Sequence, residues 1–248
     1  PDFALYFAFR FDHPVDGART VTSEGEMSSG AARGVGLGMS VGFDAGVRSV
    51  QVRMGISYIS EEQALWNLEA ETGGRSFADF QQEGRDAWED YLSRIEIETD
   101  DEAVRRTFYS CLYRTALFPR VFHEYDAQGK AVYFDNASGS VHEGVFYTDN
   151  GFWDTSKTVY ALYALICPDR YAEFVQGFLN CYDDTGWLPK WISPSELGMM
   201  PGTLIDSVLA EAAVKGLLTQ EQAEKALEGM LHHSRVQAEE ERFGRRCV

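Results

Sequence analysis

One short segment, Tyr147–Thr155, concentrates the kinds of side chain with which proteins hold sugars. Within it Trp153 and Asp154 are neighbours, directly before an apolar run with helical spacing. A flat indole can cover the C–H face of a pyranose ring, while a carboxylate accepts hydrogen bonds from sugar hydroxyls. The pair therefore predicts a carbohydrate contact. A structural alternative stays open, because Asp154 also stands where it could cap the following helix.

Two further loops carry residue types that suit a binding face. Gly186–Trp191 holds two tryptophans four positions apart, and Gly198–Thr203 leads into a helix, whose first N–H groups point at whatever lies in front. Structural alternatives stay open here too, since the tryptophans could anchor loops on the core and Pro201-Gly202 could simply shape a turn. The candidate substrate contacts are Trp153, Asp154, Trp187, Met200 and Gly202.

Composition narrows the class of partner. The chain has 248 residues, 44% of them apolar, which is enough for a sizeable core, and its formal net charge is −17. That charge argues against nucleic acid and anionic membranes as partners. The chain contains no apolar run of membrane-spanning length. The first three of its four cysteines lie in apolar helical contexts and are predicted to be buried free thiols.

The order of periodicities predicts a mainly α, α+β chain with a strand-rich start. Residues 1–59 read as strands, with aromatics at alternate positions over Phe3–Phe11 and a hairpin turn at Asp44–Gly46. From Ser60 onward the spacing is helical, with a capping box predicted at Thr99-x-x-Glu102 and another at Thr219-x-x-Gln222. A long, polar, turn-rich connection separates the helical runs between residues 119 and 150, and a connection of that length is usually functional.

The histidines give no metal signature. His142 stands beside Glu143, and His123 stands beside Glu124, in the long connection. Such neighbours do not fix metal geometry, and the chain has no H-E-x-x-H motif. No metal ligand is therefore predicted from the residues themselves.

Several segments, in order along most of the chain, resemble glycoside hydrolase family 92, the calcium-dependent exo-α-mannosidases. They are Gly55–Ser60, Asn67–Glu71, Phe108–Tyr109, Leu112–Thr115, Pro119, Gly151–Thr155, Gly186–Pro189, Met200–Thr203 and Ala213–Gly216. Two positions depart from the family pattern: Lys157 stands where arginine is common, and Leu204 stands where many members have histidine. Lysine cannot form the bidentate hydrogen bonds of arginine, so these changes are expected to affect linkage specificity most.

The resemblance implies an architecture and a chemistry. Residues 1–59 are expected to be the end of an N-terminal β-sandwich, 60–98 linker helices, and 99–248 the first part of an (α/α)6 barrel. The implied activity is inverting, Ca²⁺-dependent hydrolysis by an exo-α-mannosidase of α-1,2 type, which removes mannose from N-glycans or mannans. The family's acid, base and main calcium ligands come from later helices and are expected beyond Val248. This chain is then an internal fragment that supplies part of the sugar pocket and is inactive alone.

Two other classes of function remain open at this stage. The chain could be a non-catalytic carbohydrate-binding or structural module, since no catalytic acid or base is assigned within it. It could also belong to a different (α/α)6 glycosidase, although the order of the motifs argues against that. Linkage preference and compartment are left open by the sequence.

Overall fold

A computed structural model describes residues 4–22, 25, 27–28, 34–200, 202–240 and 243. Phe3, Pro201 and most of the segment after residue 240, which enter the expectations above, lie outside that range. The chain divides into two compact units, one formed by residues 5–73 and the other by residues 74–248 with the first four residues.

The described residues form both strands and helices. The strands are β1 Tyr6–Phe11, β2 Gly17–Val21, β3 Met27–Ser28, β4 Gly38–Gly42, β5 Val52–Ser57, β6 Arg120–Val121, β7 Glu124–Tyr125, β8 Ala131–Asp135, β9 Ser140–Glu143, β10 Tyr147–Thr148, β11 Asn150–Gly151 and β12 Trp191–Ile192. The helices are α1 Glu61–Thr72, α2 Phe77–Leu92, α3 Glu102–Thr115, α4 Phe152–Thr155, α5 Val159–Ile166, α6 Pro168–Thr185, α7 Ile205–Val214 and α8 Gln220–Arg235.

In the first unit, α1 packs on an antiparallel ribbon of β1 and β5. Gly55 makes this packing possible, because an added Cβ would lie 2.6 Å from the Leu68 nitrogen and overlap the Ala64 carbonyl oxygen. The Asn67 amide also donates to the Ile56 carbonyl at 2.8 Å. The opposite face of the ribbon is apolar and exposed. It consists of Leu5, Phe7, Phe9, Val52, Met54 and Ile56.

The predicted hairpin at Asp44–Gly46 is wrong. The turn itself forms, with Gly46 N–H donating to Asp44 at 2.8 Å. However, β4 pairs with β2 in a three-stranded sheet, whereas β5 pairs with β1. An alternating pattern predicts a strand but not the strand with which it pairs. The two strands are adjacent along the chain, yet they lie in different sheets.

The second unit has its core between α5, α6, α7 and α8. Stacked and edge-on aromatic rings fill its centre, with Tyr160 5.5 Å from Tyr163 and 5.2 Å from Tyr171 between ring centroids. Tyr171 is fully buried and its hydroxyl donates to the Val208 carbonyl at 2.7 Å, which ties α6 to α7. The buried surface of aromatic side chains contributes strongly to the stability of a core, so the packing of these helices is expected to be stable.

Helix starts show where residue signals succeed and fail. Thr219 forms the predicted capping box with Gln222. The box predicted at Thr99 is wrong, because Asp101 caps α3 and accepts from the N–H groups of Ala103 and Val104. Aspartate is at least as good an N-cap as threonine, and Asp101 lies two residues closer to the apolar run.

The connection between residues 119 and 150 is more regular than expected. Its turn signals are confirmed: a turn at 126–129 joins β7 to β8, and a turn at 136–139 joins β8 to β9. Of the three cysteines described, Cys167 and Cys181 are buried free thiols as predicted, but Cys111 is exposed. Among the described residues, no helix is both long and apolar enough to cross a membrane.

Candidate functional site

Trp153 and Asp154 lie side by side on α4, a single helical turn. The Trp153 side chain is 55% exposed, and Asp154 is exposed as well. Gly151 occupies the N-cap of α4, so Asp154 stands inside the turn and does not cap it. The pair and the apolar run that follows it do not form one continuous helix, because residues 156–158 separate α4 from α5. Within the described chain the Asp154 carboxylate has no hydrogen bond or ion pair, so its oxygens are available to a ligand.

The backbone beneath this pair is held by the second candidate loop. Strands β11 and β12 form an antiparallel ladder in which Asn150 pairs with Ile192 and Gly151 with Trp191. The Trp191 indole covers Gly151 so closely that a Cβ there would lie 2.9 Å from Cε2 and overlap Nε1 and Cδ1. Phe152, which begins α4, is buried and donates its N–H to the Lys190 carbonyl at 3.3 Å. The first and second loops are thus one packed assembly.

Asp149 joins the two ladders that flank it. Its φ is +59°, a left-handed value that few residues other than glycine adopt. Its carboxylate accepts from Arg120 Nε at 2.7 Å and from the Ser193 hydroxyl at 2.5 Å. Arg120 belongs to β6, which pairs with β10, and Ser193 follows β12.

A buried carboxylate shapes the loop after β12. Glu196 accepts from the N–H groups of Lys190 at 2.5 Å, Trp191 at 3.3 Å and Gly198 at 2.7 Å. Burial raises the pKa of Glu196 above its ordinary value of 4.5, and these three backbone donors only partly offset that effect. The spacing of residues gave no signal for this role, since an isolated glutamate in a loop reads as solvated.

Trp187 is partly buried, in contrast to the exposed Trp153 of the first loop. Its ring stacks on Phe243 at 6.2 Å and on His233 at 5.7 Å, and it meets His232 edge-on at 4.6 Å. His233 Nε2 also accepts from the Leu188 N–H at 3.0 Å, which fixes this loop to α8. Trp187 thus packs against other rings, and its contact with a substrate stays a prediction.

The third loop has an unusual backbone at both residues singled out. Met200 has φ +63° and Gly202 has φ +80°. Glycine adopts such values freely, whereas methionine does so at a cost of order 1 kcal/mol. Met200 is partly exposed, and α7 begins at Ile205, shortly after the loop. Such conformations concentrate at ligand sites, so both residues stay candidate contacts.

Three ligand-type side chains meet at the end of α6, a grouping that residue spacing did not reveal. Atoms of Asp135, His142 and Asp184 lie within 4.8 Å of one another, the one such group among the described residues. All three are already engaged. His142 Nδ1 lies 2.6 Å from Asp184 Oδ1, the Tyr133 hydroxyl donates to Asp184 Oδ2 at 2.6 Å, and Asp135 accepts from two backbone N–H groups of the following turn.

This group does not fit calcium. Calcium takes six to eight oxygen ligands at about 2.3–2.6 Å, and a histidine nitrogen is a poor substitute for one. The oxygens of Asp135 and Asp184 also serve hydrogen bonds that hold the β8–β9 turn to α6. The cluster is therefore a structural hydrogen-bond network.

The arrangement around α4 suits a polar ligand that has a flat apolar face. It offers an exposed indole, an adjacent carboxylate without a partner among the described residues, and a base held by the β11–β12 ladder. Residues 63–247 match the glycosyl hydrolase family 92 catalytic domain. A secreted glycosidase, itself uncharacterized, from Arthroderma benhamiae is 25% identical over 199 residues, covering 77% of this chain and 21% of that protein.

Solved structures show the same fold. An inverting mannosidase of family GH92 from Bacteroides thetaiotaomicron superposes with a TM-score of 0.91 at 38% identity, covering 99% of this chain and 34% of its own. A family GH92 α-mannosidase from the same organism gives 0.76 at 24% identity, over 91% of this chain and 32% of its own. The chain thus spans about a third of these enzymes and about a fifth of the fungal protein. By the match over residues 63–247, it belongs to glycosyl hydrolase family 92.

Proposed function

We propose that this chain is part of an exo-α-mannosidase and supplies one wall of its mannose pocket. The enzyme removes terminal mannose, of α-1,2 linkage, from N-glycans or mannans with inversion at the anomeric carbon. The observation that carries the proposal is the exposed pair on α4, since Trp153 is 55% exposed and Asp154 has no partner in the described chain. The mannosidase structures support it, including one of the α-mannosidase with mannoimidazole.

In this account Asp154 positions the sugar and does not cleave the bond. Its carboxylate accepts hydrogen bonds from the mannose hydroxyls, while the Trp153 ring lies against the C–H face. Trp187, Met200 and Gly202 complete the wall from the other two loops. Inversion needs a general acid and a general base about 6.5–9.5 Å apart, so that a water molecule fits between base and sugar. We place both of those carboxylates beyond Val248.

The proposed enzyme has three parts within this chain. Residues 1–59 are the end of a β-sandwich, residues 60–98 are linker helices, and residues 99–248 are the opening part of an (α/α)6 barrel. We place the calcium ion with the later helices, as the family resemblance implies. The acidic group formed by Asp135 and Asp184 is engaged in a hydrogen-bond network. Bound calcium would supply a positive charge for the sugar hydroxyls and the developing transition state.

The test is product analysis with the full-length protein that contains this chain. Proton NMR of a freshly started reaction on an α-1,2-mannobioside should show β-mannose first, followed by mutarotation, and EDTA should stop the release. Release of α-mannose would contradict inversion, and full activity in EDTA would contradict the calcium requirement. Binding of mannobiose without any hydrolysis would replace the proposal with the alternative of a carbohydrate-binding module.

A further inference from the structure

Asp149 has a left-handed backbone conformation, which is unusual for a residue other than glycine. It stands between β10 and β11 with φ +59°, and its side chain is 20% exposed. Aspartate tolerates the left-handed region better than most residues, yet glycine would occupy it without strain. Glycine would also lose the carboxylate. The Asp149 carboxylate makes two contacts here that glycine could not make.

Those contacts reach two separate segments. Arg120 Nε donates to Asp149 Oδ2 at 2.7 Å, and the Ser193 hydroxyl donates to Oδ1 at 2.5 Å. The residues on either side repeat the same connections through the backbone, because Thr148 pairs with Arg120 and Asn150 pairs with Ile192. Asp149 therefore connects two short ladders that have no strand in common.

Asp149 lies close to the candidate sugar contacts. Only Asn150, Gly151 and Phe152 separate Asp149 from Trp153. Asn150 and Gly151 are held in the β11–β12 ladder, and Phe152 is buried. A rotation at Asp149 is thus passed along a stiff connection to Trp153 and Asp154. Release of Ser193 would at the same time loosen the segment that leads to the third loop.

We propose that Asp149 is a positioning residue, which fixes the α4 pair and the segment after β12 in one geometry by bonding Arg120 and Ser193 together. This inference rests on the proposed function for its effect on turnover, though not for its effect on local order. Partly exposed ion pairs contribute only about 0.2–1 kcal/mol to stability, and Arg120 is 46% exposed. Misplacement of a sugar contact by about 1 Å, in contrast, can cost about 100-fold in rate.

The decisive variant is Asp149→Gly in the full-length protein, because glycine keeps the left-handed backbone and removes only the carboxylate. Asp149→Asn is the conservative partner, with one acceptor retained. Glu143→Gln is the matched control, since Glu143, at the end of β9, forms an exposed ion pair with Lys130 at 3.1 Å. Hydrogen exchange should rise together in segments 150–155 and 191–198 for Asp149→Gly, and should stay unchanged for Glu143→Gln.

On an α-1,2-mannobioside we expect kcat/KM to fall about 10- to 100-fold in Asp149→Gly and less in Asp149→Asn. In an Asp154→Asn background the same change should cost less, because part of the effect of Asp149 acts through the Asp154 contact. Additive losses, or exchange that rises in one segment alone, would overturn the positioning role. If exchange rises in both segments while the unmodified protein has no mannosidase activity, the proposed function fails and the positioning role stands.

Discussion

A single methyl group at Gly151 should disturb the candidate site more than its size implies. The φ of −117° and ψ of 126° are ordinary extended values, so alanine meets no backbone strain there. Its Cβ would, however, lie 2.9 Å from Trp191 Cε2 and closer to Nε1 and Cδ1. Since carbon atoms meet at about 3.5–4.0 Å, the indole must move by about 1 Å or the ladder must open.

Overpacking of this kind costs about 1–3 kcal/mol, and a clash with a rigid ring belongs near the upper end of that range. We therefore expect Gly151→Ala to lower the Tm by roughly 4–12 °C. The assay is thermal unfolding followed by circular dichroism, with Gly84→Ala as control. Gly84 lies in α2, where an added Cβ meets no atom within 4 Å, so that change should stabilise by about 0.5–1 kcal/mol.

A double-mutant cycle with Trp191 tests whether the indole ring causes this loss of stability. With Trp191→Ala already present, the obstructing ring is gone, and adding Gly151→Ala should cost less than about 0.5 kcal/mol. The coupling between the two positions should then be about 2 kcal/mol. If Gly151→Ala is as costly without the ring as with it, the clash is not the cause, and the account of how the two loops pack is wrong.

Three further predictions test other parts of the molecule. Gly55→Ala should destabilise the first unit by at least about 3 kcal/mol, because the added Cβ meets helix backbone that cannot rotate away, and urea unfolding followed there should show it. Burial raises the pKa of Glu196, so the folded chain binds this proton more tightly than the unfolded chain. The contribution of Glu196 to the free energy of unfolding should therefore fall as the pH rises above about 4.5. Glu196→Gln should remove this dependence of stability on pH, and an equal dependence in both proteins would contradict the prediction. Residues 1–248 expressed alone should self-associate through the exposed ribbon face with Phe7 and Phe9, less so when both become serine, and a monodisperse monomer in light scattering would contradict this.

The sequence predicted local features well and long-range pairing poorly. Thr219 and the turn ending at Gly129 were found because caps and turns are decided within four residues. The hairpin at Asp44–Gly46 failed because strand pairing depends on the competing surfaces of several strands. The box at Thr99 failed because two residues with similar capping ability compete within one turn of chain.

The candidate site was found in part for the same reason. Trp153 and Asp154 were predicted from their residue types, and both are exposed in the structure. Asp149 was missed because its partners are distant in sequence, with Ser193 lying 44 positions away. Glu196 was missed for another reason: its partners are close in sequence, but the residue types of the loop do not show that this carboxylate is buried. The residue types show which side chains could contact a sugar. The β6–β10 and β11–β12 ladders determine which of those side chains are held in place.

The proposed role of Asp154, which is to hold the mannose of an α-mannosidase, can be tested by comparing the turnover of two proteins. The measurement is kcat/KM on an α-1,2-mannobioside for the full-length protein and for its Asp154→Asn variant, with thermal unfolding recorded on both. Hydrogen bonds to a charged group are worth about 1.5–3 kcal/mol, which corresponds to a loss of about 10- to 150-fold with little change in Tm. Turnover equal to that of the unmodified protein would contradict the role of Asp154 and the sugar pocket built around it.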